Sequence, residues 1–280
     1  MYEIDNEEFF IHTSMEDKRL YMTRHDRIKS KSLSPCCMGA DDVDYEMQFG
    51  KNPEILEICG MNQDGLEHFV RHYGGGYRFL SFFHCQMISD FSPLEDLPQL
   101  ESVQIRWNIR SNRLWDFTRN LSLHSFLMTD CKKMTLCPDR LRTAPALRNV
   151  FIVGGMWENH PMESLDIFAN MPDLEHLRIR LIRLKDRKPD FLRTLPKLER
   201  FDFDAGMLST EEIAWIVAKY PHLAGCSLCA YSKEEATLSD VRVCGSKKPG
   251  LKLPEQQARL DQYIATFQAL VEKYRNDEQR

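Results

Sequence analysis

One motif recurs through the middle of this chain and constrains its fold more than any other feature: an apolar residue, a second three positions on, and a third two positions after that. It fits eight times, beginning at Ile55, Phe79, Leu100, Leu123, Leu147, Leu174, Leu198 and Leu223. The second positions are Ile58, Phe82, Val103, Phe126, Val150, Leu177, Phe201 and Cys226. The third are Gly60, His84, Ile105, Met128, Ile152, Ile179, Phe203 and Leu228, so the first two copies are degenerate. From Ile55 to Leu223 is 168 residues in seven steps, a mean of 24. A fixed period of this length is the signature of stacked supersecondary units, each too small to bury its own apolar face.

A second signal keeps the same period. Pro53, Pro98, Pro145, Pro172, Pro196 and Pro221 each stand two residues before an anchor. Proline cannot continue a helix and moves the preceding residue out of the α region, so each marks a helix end and the turn into a strand. Upstream, Leu94–Leu97, Leu141–Ala144, Phe168–Met171, Leu192–Leu195 and Val217–Tyr220 place apolar residues one helical turn apart. Ser209 and Glu212 make a capping-box start for the last of these. The unit is therefore helix, turn, short strand. Within each strand the second and third apolar sites share one face and the residues between them share the other.

Leu100-x-x-Val103-x-Ile105-x-x-Asn108 and Leu123-x-x-Phe126-x-Met128-x-x-Cys131 resemble the leucine-rich repeat consensus, in which Asn or Cys follows the strand. The resemblance covers residues 52–231. It implies an α/β fold: a leucine-rich-repeat solenoid (horseshoe) with a parallel β-sheet on the concave face and helices on the convex face, capped at both ends. It also implies a role in binding other macromolecules. The remaining copies carry Gln63, Met87, Gly155, Ile182, Gly206 and Tyr231 at the Asn/Cys position, so any asparagine ladder is fragmentary.

The flanks are expected to be caps, because an uncovered terminal repeat exposes its core. In residues 1–51, Phe9–Thr13 and Arg19–Thr23 around Met15–Lys18 suggest a β-hairpin, Ser30–Pro35 a loop, and Tyr45–Phe49 a returning strand. Residues 232–280 suggest a strand at Asp240–Cys244 and a helix from Pro254 to Tyr274. Its apolar stripe is Leu260, Ile264, Phe267, Val271 and Tyr274. The 280 residues thus read as one elongated domain.

Composition narrows the function classes. Lys and Arg number 37 against 42 Asp and Glu, a balance of −5, which argues against broad capture of nucleic acid or anionic membrane. No secretory signal or membrane-spanning apolar run is visible. Nine cysteines without a disulfide-framework spacing point to free thiols and a cytoplasmic protein.

No constellation names an enzyme. His68 and His72 are one helical turn apart but lack a third ligand, and fit a helix C-terminus closed by Gly74–Gly76. Cys226 and Cys229 have the spacing of a metal or redox pair, yet fall on the eighth strand, where Cys226 is expected in the core. Cys36 and Cys37 lie in a loop. The glycines at 74–76 and 154–155 lack a phosphate-loop pattern. We therefore expect no catalytic residues, no metal and no cofactor.

The expected working surface is the outward-facing set of strand residues. It comprises Gln104, Arg106, Trp107, Ser125 and Leu127; Asn149, Phe151 and Val153; His176, Arg178 and Arg180; and Arg200, Asp202 and Asp204. Trp and Arg are enriched at binding hot spots. The leading expectation is a non-enzymatic, monomeric protein-interaction scaffold that binds an unidentified protein through the concave face, with an inhibitor or immunity-type role as a variant that the resemblance implies. Alternatives are a metal- or thiol-dependent enzyme at His68/His72 or the cysteines, and nucleic-acid binding through Arg106, Arg178 and Arg180.

Overall fold

The computed structural model describes residues 19–22, 37–48, 55–136, 138–155, 157–169, 171–233 and 239–277. The first arm of the expected N-terminal hairpin, the Ser30–Pro35 loop, Cys36, Phe49 and Pro53 lie outside these residues. The chain forms two compact units, Met1–Pro161 and Met162–Arg280.

The first unit is built on six parallel strands in chain order: β1 (Arg19–Met22), β2 (Ile55–Cys59), β3 (Phe79–Phe83), β4 (Ser102–Arg106), β5 (Ser125–Thr129) and β6 (Asn149–Val153). Helix α1 (Ala40–Met47) follows β1, α2 (Gln63–His72) follows β2, and the short α3 (Lys132–Leu136) follows β5. Tyr45–Met47 is thus helical rather than the expected strand. At the start of α1 the Asp42 carboxylate accepts from the Gly39 amide at 2.9 Å, and acidic Asp41 and Asp42 suit the helix N-terminus.

Pairing is in strict register. One row runs Leu56, Leu80, Val103, Phe126, Val150, and another, two residues later, Ile58, Phe82, Ile105, Met128, Ile152. Both rows are fully buried and form the core side of the sheet. Steps along the first row are 24, 23, 23 and 24 residues. The first two copies are therefore not degenerate: their true frame lies two residues earlier than the anchors Ile55 and Phe79 suggest. A shift of two preserves the faces, since side chains alternate with period two.

Between strands the helical segments are mostly 3-10 turns, at Ser92–Asp96, Phe117–Arg119 and Pro138–Thr143. They pack aromatic residues onto the core rows, with Phe91 edge-on to Phe82 at 5.5 Å and Phe117 edge-on to Phe126 at 5.6 Å. A shared turn re-enters each strand: Leu100 N–H donates to the Leu97 carbonyl and Leu123 N–H to the Asn120 carbonyl. Gly74 follows α2 without a left-handed backbone, contrary to the expected glycine cap; it is small because an added Cβ would meet Leu97 at 2.9 Å.

The second unit repeats the plan with parallel β8 (His176–Arg180) and β10 (Arg200–Phe203), their core residues Leu177 and Ile179 opposite Phe201 and Phe203. The short strands β7 (His160–Met162) and β9 (Ile182–Leu184) precede and follow β8 in the chain. The eighth repeat makes only a bridge, Arg200 to Ala224. That bridge puts Cys226 opposite Asp202, one residue off the expected frame, and a one-residue shift reverses the face. Cys226 is accordingly exposed rather than core, while Ser227 is buried. Gly225 sits where any Cβ would collide with the Phe201 carbonyl.

Helix α4 (Thr210–Lys219) begins with the expected Ser209–Glu212 capping box. An antiparallel sheet of β11 (Tyr231–Lys233), β12 (Val241–Val243) and β13 (Gly250–Leu251) leads to α5 (Gln257–Asn276), which packs along α4. Leu260, Phe267 and Val271 from the expected stripe are buried.

The architecture is α/β of leucine-rich-repeat type, one parallel strand and one helical turn per unit. Asn108 secures one such turn. Its Nδ2 donates to the Cys85 and Ile88 carbonyls at 2.8 and 2.9 Å, and its Oδ1 accepts from the Arg110 and Ser111 amides. Replacing Asn108 by Ala orphans these buried groups and is expected to lower stability by about 2–4 kcal/mol in urea unfolding, against under about 0.5 kcal/mol for exposed Asn112→Ala.

Candidate functional site

The side of the first unit's sheet opposite the core carries the residues expected to meet a partner, and the structure divides them sharply. Gln104 and Leu127 are fully buried and Phe151 nearly so; with Ile55 and Phe79, Leu127 and Phe151 make a second apolar cluster. Ser125 is also buried. These positions do not stand open as expected. The buried Ser102 Oγ, Gln104 Nε2, Arg106 Nε and Thr129 Oγ1 have no hydrogen-bond partner among the described residues.

What does stand open lies at the C-terminal ends of the strands. Trp107 is 43% exposed, Phe83 39% and Ile109 52%. The His84 and Trp107 rings lie 4.3 Å apart, Phe83 and Trp107 6.4 Å, and the Arg106 guanidinium stands 5.2 Å over the Phe83 ring. Arg106 also holds Glu57 at 2.7 Å and donates to Ser81 at 3.1 Å.

The backbone sets this edge. Gly60, His84, Trp107 and Asp130 follow successive strands, all with positive φ, from 52° to 73°. In that conformation each amide still donates to the next strand: His84 to Arg106 and Trp107 to Thr129, at 2.9 and 2.8 Å. For a non-glycine residue the left-handed region costs about 1–2 kcal/mol, offset here by the continued ladder. The side chains are thereby held in a row beyond the sheet.

Next along this edge Asp130 meets His160, Oδ1 to Nε2, at 3.3 Å, and an added Cβ at Gly155 would strike both. Burial lowers the His160 pKa below its ordinary 6.5, against the pull of Asp130. His160 is a buried partner of the edge that the sequence pattern did not single out, since it lies between repeats.

In the second unit the charged set is paired. Asp202 is buried, meets Arg200 Nε at 2.6 Å and Arg178 at 3.5 Å, and accepts from the Cys226 amide at 3.0 Å. Burial opposes its charge, but the arginine and amide contacts prevail and leave its pKa below 3.8. Asp204 bonds Arg180 at 3.2 Å and caps the amide of Leu181, itself at positive φ. His176 is half-buried beside them on β8. Arg106, Arg178 and Arg180 thus each face a carboxylate, which disfavours the nucleic-acid-binding alternative.

The histidines of α2 serve structure. His68 Nε2 lies 2.6 Å from Asp44, which also accepts from Tyr73, and the His68 and His72 rings pack at 4.5 Å. Among the described residues no three His, Cys, Asp or Glu side chains converge to hold a metal. No helix there is long and apolar enough to cross a membrane.

No protein-family model matches the sequence, and no curated protein matches it. Among solved structures the chain is similar to an internalin (inlF) from Listeria monocytogenes, at 15% identity and a TM-score of 0.42, over 61% of this chain and 59% of that one. The chain therefore spans less than two thirds of that protein's solved length, and the architecture assigned above stands on strand register alone.

Replacing Asp202 by Asn is expected to lower stability by about 1–3 kcal/mol at neutral pH, measured by urea unfolding. Because the folded pKa lies below the unfolded one, the Asp202 contribution is complete above about pH 3.8 and lost as pH falls through the folded value, so wild type and variant should converge in acid.

Proposed function

We propose that the protein is a non-enzymatic scaffold that binds another protein, with the exposed strand-end cluster of Phe83, His84, Arg106 and Trp107 as its anchor. The supporting observation is the open aromatic group itself. Exposed Trp and Phe, stacked with a histidine and flanked by an ion-paired arginine, are the residue types that dominate interface hot spots. Phe83 and Arg106 sit on strands and His84 and Trp107 on a left-handed backbone tied to the next strand, so little backbone entropy remains to be lost on association.

In the second unit, Arg178, Arg180, Arg200, Asp202 and Asp204 supply a fixed pattern of charge, and His176 borders it. Such pairs favour one orientation of a complementary partner more than they add affinity. Gln104, Leu127 and Phe151, buried in the same sheet, are not part of the anchor. This reading takes the protein to be cytoplasmic and monomeric. An inhibitory role follows if the anchor covers a partner's active surface.

Affinity capture from the native host, followed by titration of the captured partner, tests the reading. Phe83→Ala and Trp107→Ala are each expected to weaken binding about 10- to 30-fold. Trp157→Ala serves as the exposed control, at 92%. Unchanged affinity in both anchor variants, with native circular dichroism, would sink the assignment.

A further inference from the structure

The second unit holds a pair of thiols that the binding role does not use. Cys229 and Cys244 approach to 3.9 Å between sulfurs and are 15 residues apart in sequence. Their setting is asymmetric. Cys244 is fully buried at the end of β12, its amide bonded to the Ala230 carbonyl and its carbonyl accepting from Thr210. Cys229 is half-exposed, in the turn that leads into β11. In the antiparallel register Tyr231 faces Val243, so Ala230 faces Cys244 and Cys229 is one residue further on.

We propose that Cys229 and Cys244 are an oxidative modification site, in which a small-molecule disulfide converts the dithiol into an intramolecular disulfide joining the end of the last repeat to the antiparallel sheet. Cys229 is the attacking group because solvent reaches it, and Cys244 the resolving group because it is fully buried. The Cys229 thiolate attacks one sulfur of the reagent RSSR, forming a mixed disulfide and releasing RS⁻. Cys244 then loses its proton to solvent, and its sulfur attacks Cys229 Sγ and expels the second RS⁻. Two protein thiols are oxidised and one RSSR is reduced to two RSH.

The surroundings favour this order. The contact between the two sulfurs favours the Cys229 thiolate, lowering its pKa below the ordinary thiol value, and raises that of Cys244. From 3.9 Å the sulfurs must close to about 2.05 Å, a movement small enough for side-chain rotation to supply most of it. The competing thiol, Cys226, is three residues away and exposed, but its sulfur lies against the Phe203 carbonyl and Ser227.

The experiment treats the purified full chain with oxidised glutathione at neutral pH, blocks residual thiols with iodoacetamide, and maps non-reduced peptides by mass spectrometry. The expected product is a peptide pair linking Cys229 to Cys244, two hydrogens lighter than the separate peptides, with an upward shift in melting temperature that dithiothreitol reverses. Cys244→Ser should retain glutathione on Cys229, and Cys226→Ser should cross-link as wild type does. Glutathione persisting on Cys229 of wild type, a Cys226–Cys229 link, or an unmodified Cys229 would overturn the proposal. The wild-type map decides the question even if a variant fails to fold.

Discussion

The structure of the first unit depends on one backbone arrangement: a residue in the left-handed region after each of β2, β3, β4 and β5, whose amide still reaches the neighbouring strand. A parallel strand that simply ran on would carry the chain away from the sheet. The turn to positive φ at His84, Trp107 and Asp130 redirects it toward the helical layer without losing the ladder bond. Asn108 then receives the turning chain and satisfies carbonyls and amides that water cannot reach. Cys85 and Cys131, one residue past the turn like Asn108, fill the same place with thiols directed at the Ile58 and Ile105 carbonyls. Core packing, strand spacing and the placing of the edge aromatics all follow from this redirection.

Much of this was legible in the chain. The period, the proline-marked turns and the apolar pair fixed the unit and its handed alternation of faces. Register at the first two repeats was not, and the reason is physical. Ile55 and Phe79 are apolar although they lie on the far side of the sheet, where they join Leu127 and Phe151 in a second buried cluster. When both faces of a strand are buried, alternation no longer tells them apart. The misplaced frame also hid Cys85, which belongs in the Asn/Cys series. At the eighth repeat Cys226 and Leu228 imitate the motif, but Gly225 breaks the strand and shifts the frame by one.

The candidate site was half legible. Trp107 and the arginines were recognisable from residue type and position, and Trp107 stands open. Burial of Gln104, Leu127 and Phe151 could not be read, because a residue pointing away from one core gives no sign that a second cluster awaits it. The Phe83 and His84 contributions were concealed by the frame error, which had assigned His84 to the core. The pairing of each arginine with a carboxylate was partly visible in the alternation Arg200-Phe-Asp202-Phe-Asp204, and becomes definite only when β8 lies beside β10.

Gly225 has a further consequence for how the molecule behaves in company. A parallel strand at the margin of a sheet offers a row of free donors and acceptors on which another chain can polymerise. β10 forms only a single bridge with the segment after it, and at Gly225 that segment lies too close to the Phe201 carbonyl for any side chain. The Phe201 amide and the Phe203 carbonyl are already engaged by Ala224 and Ser227. A tight loop thus occupies the margin of β10 and denies it to other molecules, which favours solubility at high concentration over self-assembly into fibres.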